Sequence, residues 1–195
     1  MDSTLSMSNQ VHNICKAGLH AICKIGSIRK YLDSRSTEIL VHAFVTSRLD
    51  CCNSLLYGLP AKDISKIQRV QNTAARLVVQ SPIRQHITPV PRQLHWLPVT
   101  QRITFKILLF VFKALHNSPS KFISELIQPY VPKRSLRSRS ESLLAHLFHP
   151  STKFYGNRSF SSASVSLWNA LPIEIRQATS TSVFKSLLKT HLFNL

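Results

Sequence analysis

Acidic residues are scarce in this chain: eight Asp and Glu stand against 25 Lys and Arg in 195 residues, a formal charge of +17. No two aspartates are adjacent, and the acids are scattered. Two-metal nucleotidyl transfer needs carboxylates that converge on magnesium, so a complete polymerase or nuclease site is not expected, nor any catalytic residue. Asp50 and Asp63 have simpler roles as a turn former and a helix-start residue. Glycine occurs only at 18, 26, 58 and 156, which leaves no phosphate-cradling loop, and no GxSxG elbow is present. The four cysteines, Cys15, Cys23, Cys51 and Cys52, contain no CxxC spacing. That argues against a zinc knuckle and against a disulfide framework. No metal or cofactor is therefore expected, and His42, His146 and His149 read as structural. Long apolar runs are missing as well. The longest, Ile107 to Phe112, falls far short of the ~18–20 residues that cross a bilayer. With no apolar leader at the start, the expected location is nucleus or cytoplasm, not secretion.

What the chain does have is apolar content, 44 %, enough to build a core, and an excess of cations that a polyanion would offset. The excess is uneven. Residues 1–80 hold ten Lys and Arg against five acids, and 81–195 hold fifteen against three. The expected partner is the backbone of RNA or DNA, possibly an RNA–DNA hybrid, and no membrane.

Apolar spacing predicts an all-α fold, an irregular helical bundle with Pro-rich connections and a small C-terminal helical unit. Residues 1–10 read as a disordered start. Residues 11–130 read as a helical, thumb-like domain, 131–158 as a basic linker and 159–195 as the small C-terminal unit. Ile14, Gly18 or Leu19, Ile22, Ile25, Ile28 and Leu32 make one stripe of a helix over about 11–31. In EILVHAFVTSRL the packed side is expected at Ile39, Leu40, Ala43 and Phe44. The clearest helix begins at Pro60, with Asp63 in its first turn and a core stripe of Ile64, Ile67, Val70, Ala74 and Leu77. Trp96, in HWLP, is the kind of residue that locks a helix crossing. Ile103 and Leu108 lie on a helix from about Val99 to His116 that is apolar on most sides. Trp168 centres the C-terminal unit, with Ser180 or Ser182 starting the last helix.

Cations lie away from these stripes. Lys62, Lys66, Arg69 and Arg76 on one helix, Arg84 and Arg92 in the Pro-rich turn, and Arg102, Lys106 and Lys113 on the next could form a strip for phosphates. In KRSLRSRSESL, Lys133, Arg134, Arg137 and Arg139 crowd into a serine-rich arm. Such contacts would position a duplex without reading bases.

Four segments carry a resemblance: SRLDCCNSLLYGLP (47–60), KIQRVQNTAARLV (66–78), ITPVPRQLHWLPVTQRITFKILLFVFKALH (87–116) and YGNRSFSSASVSLWNALPIEIRQA (155–178). In this order they resemble the C-terminal, post-polymerase region, thumb and downstream, of non-LTR retrotransposon reverse transcriptases, the jockey-like LINE elements. Asp50 and Cys52-Asn53-Ser54 match the family's LDYCNSLLYG pattern, with Cys51 in place of its tyrosine. The resemblance implies a transposable-element fragment that grips template and primer for an upstream RNA-directed DNA polymerase domain. The magnesium and the catalytic aspartates would belong to that upstream part. Two alternatives stand beside this expectation: a truncated retroelement product that does not fold stably alone, and a host module that binds protein or nucleic acid.

Overall fold

Pro60 starts the helix around which the first part of the chain is organised. A computed structural model describes residues 7–82, 89–116, 121–131, 142–145 and 156–195. Its regular elements are helices, joined by short 3-10 turns and one isolated antiparallel bridge between Pro129 and Leu144. The fold is all-α, an irregular helical bundle. It divides into two compact units, Met1–Arg102 and Ile103–Leu195. The division falls inside a helix rather than near residue 130, where the basic, serine-rich composition begins.

In the first unit, α1 (Ser8–Ile28) packs on α4 (Ala61–Val79) and on the α2 (Ser34–Val41) to α3 (Ser47–Asp50) region between them in sequence. α1 buries Val11, Ile14, Gly18, Ile22 and Ile25, the periodicity read from sequence, while Leu19 and Ile28 stay exposed. The helix starts at Ser8, so residues 8–10, expected in a frayed start, form its first turn. Val11, fully buried, donates its N–H to the Met7 carbonyl at 2.9 Å and anchors that turn in the core.

Gly18 sits where α4 crosses. A Cβ there would lie 2.8 Å from Val70 Cγ1, and a β-branched side chain in a helix has little rotamer freedom with which to yield. The glycine that weakens α1 as an isolated helix is what admits its neighbour. A second tie joins the ends of the same helices. Arg29, buried, donates from Nε to the Leu77 carbonyl at 3.0 Å and from Nη2 to the Val78 carbonyl at 3.0 Å, and from Nη1 to Leu32 O at 2.6 Å. It thus caps the negative end of α4 with a full charge. The chain leaves α4 through Gln80 in the left-handed region, φ 54°. With its amide oxygen turned toward Arg29, Gln80 accepts from the same guanidinium at 3.1 and 3.2 Å.

Helix α2 (Ser34–Val41) is capped by Asp33, which accepts from Ser36 N at 3.1 Å. Hydrogen bonds from Ser36 hold that carboxyl below its ordinary range. A π-turn over His42–Thr46 then leads into α3 (Ser47–Asp50). Here the expected face is corrected. The buried residues are Thr37, Val41, Val45 and Leu49, while Ile39 and Phe44 are exposed. A repeat of four drifts by about 40° per step on a regular α-helix. The wider π-turn absorbs that drift and keeps the four residues on one side.

The second unit contains the rest of α6 (Val99–Leu115), which begins in the first unit, with α7 (Lys121–Ser124), α8 (Phe160–Asn169), α9 (Ile173–Arg176) and α10 (Thr181–Phe193). Helix α5 (Pro89–Gln93) belongs to the first unit. The core of the second is an aromatic stack: Phe112 on Phe184 with centroids 4.2 Å apart, and Phe184 on Trp168 at 5.9 Å. Such pairs contribute about 0.5–1.5 kcal/mol beyond their buried area. Trp168 Nε1 donates to the Ser142 carbonyl at 2.8 Å. Asn169 pairs with both backbone groups of Leu144, accepting its N–H at 2.9 Å and donating to its carbonyl at 3.0 Å. One residue of α8 thereby holds an extended segment as a strand partner would. Ser159 and Ser180 cap α8 and α10 through Ser162 N and Val183 N.

Two stability predictions follow from the first unit. Gly18→Ala is expected to destabilise by about 1–3 kcal/mol through overpacking, even after the gain of about 1 kcal/mol in helix propensity. Gly26→Ala, whose nearest neighbour would be Leu77 Cδ1 at 3.9 Å, should stabilise by up to about 1 kcal/mol. Urea unfolding of the pair tests the crossing, and equal effects would contradict it. Arg29→Met is expected to cost roughly 2–3 kcal/mol, because it strands carbonyls at the α4 terminus. Arg29→Lys should recover less than half of that, since an ammonium lacks the planar fork.

Candidate nucleic-acid interface

Helix α4 carries the best-defined cationic row. Pro60 precedes it, and Asp63 in its first turn is buried, accepts from Lys66 Nζ at 2.8 Å and takes the Ser8 hydroxyl at 3.4 Å. Its stripe is buried at Ile67, Val70, Ala74 and also at Ala75 and Val78, with Ile64 and Leu77 half-buried at the edges. On the other side Lys62 and Arg69 are exposed, and Lys66 and Arg76 half-buried. Lys62, Arg69 and Arg76 recur every seventh residue, nearly in line along a helix and spread over about 21 Å at 1.5 Å per residue. Asp63, the acid of this helix, faces inward. The row is therefore positive along its length.

Arg102 has a structural partner. Its Nε donates to Asp50 Oδ1 at 2.9 Å and its Nη2 to Asp50 Oδ2, a fork-on-carboxylate pair. Asn53 Nδ2 also donates to Asp50 Oδ1, at 3.3 Å. The LDCCN turn is thus tied to the start of α6, and Cys52 takes a left-handed conformation within it, φ 53°.

Two glutamines not singled out from sequence do similar work. Gln68 Oε1 accepts from Val99 N at 2.8 Å, and Gln71 Nε2 donates to the Leu97 carbonyl at 2.8 Å. Together they dock the HWLPV segment on α4. Their spacing of three on a helix was the available signal, but polar residues at that spacing are common on solvated faces too. Trp96 is buried, and its Nε1 donates to Glu38 Oε1 at 3.3 Å beside the His42 ring, 5.2 Å away.

Among the other expected contacts, Arg92 is exposed on α5. In the second unit Lys113 is exposed, and Lys106 lies over the Phe110 ring at 5.5 Å. Ile103, Leu108 and Trp168 are buried. Arg84, Lys133, Arg134, Arg137 and Arg139 lie outside the described residues, as do His146 and His149. Among the described residues no group of three or more His, Cys, Asp or Glu could hold a metal ion. Nor is any described helix long and apolar enough to cross a membrane. No protein-family model matches the chain, and neither a curated protein nor a solved structure does.

The cysteines are unpaired: Cys23, Cys51 and Cys52 are exposed and Cys15 half-buried. Burial pushes the Cys15 thiol up, and nearby Lys66 only partly opposes it. Since the thiolate is the nucleophile, iodoacetamide near pH 8 should alkylate Cys23, Cys51 and Cys52 well before Cys15. Mass mapping over a time course checks the order, and early loss of Cys15 would contradict the packing of α1 on α4.

Proposed function

We propose that this chain is a non-catalytic, nucleic-acid-gripping segment of a non-LTR retrotransposon reverse transcriptase. It would hold the template–primer backbone, RNA–DNA hybrid included, for the polymerase domain of the parent protein. The observation that carries this reading is the row Lys62–Arg69–Arg76 on α4, a helix fixed on its inner side by α1, Arg29 and the two glutamines. A row of cations held on a rigid helix suits a repeating phosphate backbone, because the backbone order is already in place before binding. The four resembling segments support the family, and the charge of +17 supports the partner. Magnesium and the chemistry it supplies would reside in the parent polymerase.

A second reading, a product that does not hold its fold alone, is favoured by one feature. Ile39, Phe44 and Leu55 are 59, 52 and 52 % exposed, and large apolar side chains left in water favour association.

The test is binding to an RNA–DNA duplex across a salt series, on material first checked for monodispersity. The expected result is an affinity that falls steeply with salt. The Lys62→Gln, Arg69→Gln double variant should reduce the slope of log K against log salt by about 2. A monodisperse protein whose binding is weak or salt-insensitive would refute the gripping role. A polydisperse one would favour the second reading.

A further inference from the structure

Arg176 ends the four-residue helix α9 and is 7 % exposed, yet among the described residues its Nε and Nη1 have no hydrogen-bond partner. Two other guanidinium groups of the chain have their acceptors in place. Arg29 is surrounded by carbonyl oxygens, and Arg102 is held by Asp50. A desolvated cation without acceptors is costly, and native proteins tolerate one chiefly where something else completes it.

The surroundings of Arg176 have the form of a binding site. It lines a cleft of about 430 Å³ in the second unit, with Leu115, His116, Ser142, Leu143 and Gln177 among the other walls. Among the described residues no Asp or Glu lines that cleft. His116 Nδ1 is 2.9 Å from the Phe112 carbonyl, which leaves Nε2 as the ring's remaining polar position. The wall at Ser142–Leu144 is held on α8 by the Asn169–Leu144 pairing and by the Trp168–Ser142 bond. The size of the cleft is that of a small-molecule site.

We propose that this cleft binds a small oxyanion, a phosphate or carboxylate group, whose oxygens supply the acceptors that Arg176 Nε and Nη1 lack. The site goes beyond the backbone-gripping row on α4 and uses none of its residues.

Thermal unfolding of the full chain in phosphate and in acetate, at ionic strength held constant with sodium chloride, tests it. The expected result is a rise in Tm with at least one anion that follows ln(1 + [anion]/Kd), about 3–6 °C at ten times its Kd. Which anion acts distinguishes a phosphate from a carboxylate ligand. Arg176→Met should abolish the rise while leaving the Tm in chloride unchanged or higher, because an uncompensated buried charge has been removed. Arg176→Lys keeps the charge and most of the stem but loses the two donors, and should weaken the response at least tenfold; it decides the matter if the methionine variant does not fold. Either variant responding like the parent chain, or no rise with either anion beyond that in chloride, would overturn the proposal. Duplex affinity of the Arg176 variants should stay within twofold of the parent. A parallel fall would place Arg176 on the polyanion surface instead and sink the small-ligand assignment, whereas failure of the α4 row variants alone would leave this site standing.

Discussion

Arg29 holds the end of one helix against the end of another, and the first unit depends on that contact. At its back, α4 would expose several carbonyl groups to an apolar neighbourhood. The guanidinium meets the Leu77 and Val78 carbonyls there and reaches Leu32 on its own side. Midway along the interface Gly18 lets the two backbones approach until Val70 fills the space a side chain would need. A charge at one point and an absent methyl group at another fix the angle and register of α1 on α4. The outward row of cations on α4 is rigid because of these two inward contacts.

Charge scarcity shapes the rest. With so few carboxylates, each described one in the first unit has a structural task. Asp33 caps α2, Glu38 takes the Trp96 indole, Asp50 holds Arg102 and Asp63 holds Lys66 near the start of α4. None of the four is left to neutralise Lys62 or Arg69. Internal guanidinium groups beyond the reach of a carboxylate must find carbonyl oxygens, as Arg29 does. Among the described residues Arg176 Nε and Nη1 find neither, a consequence of the same scarcity that makes the surface basic.

Much of the first unit was legible because its stripes are regular. Ile14, Ile22 and Ile25 on α1 and Ile67, Val70 and Ala74 on α4 follow helical spacing, and Pro60 and Asp63 mark where α4 begins. The α2–α3 region was not legible in the same way. Its π-turn shifts the buried side from Ile39 and Phe44 to Val41, Val45 and Leu49, and no residue type announces a π-turn. The long-range polar contacts were also hidden. Gln68 and Gln71 look like surface residues until the HWLPV segment lies against them. Arg29 reads as a terminal cation until its carbonyl partners, 48 and 49 residues away, are in place. Arg176 lies on none of the apolar stripes read from sequence, and only its burial marks it.

The cationic strip read from sequence divides once partners are assigned. Arg102, counted with the strip, is bound to Asp50 through both oxygens, and this pair secures the start of α6 beside the LDCCN turn. Lys66 is drawn to Asp63 at the helix start. The exposed members on α4, Lys62 and Arg69, keep their hydration and can exchange it for phosphate at small cost, since a solvated ammonium or guanidinium loses little on meeting a solvated phosphate and gains the entropy of released counterions. An already paired cation would have to give up its carboxylate first. The distinction follows from which side chains α4 turns inward, so the surface most suited to a polyanion is set by the same packing that holds α1 in place.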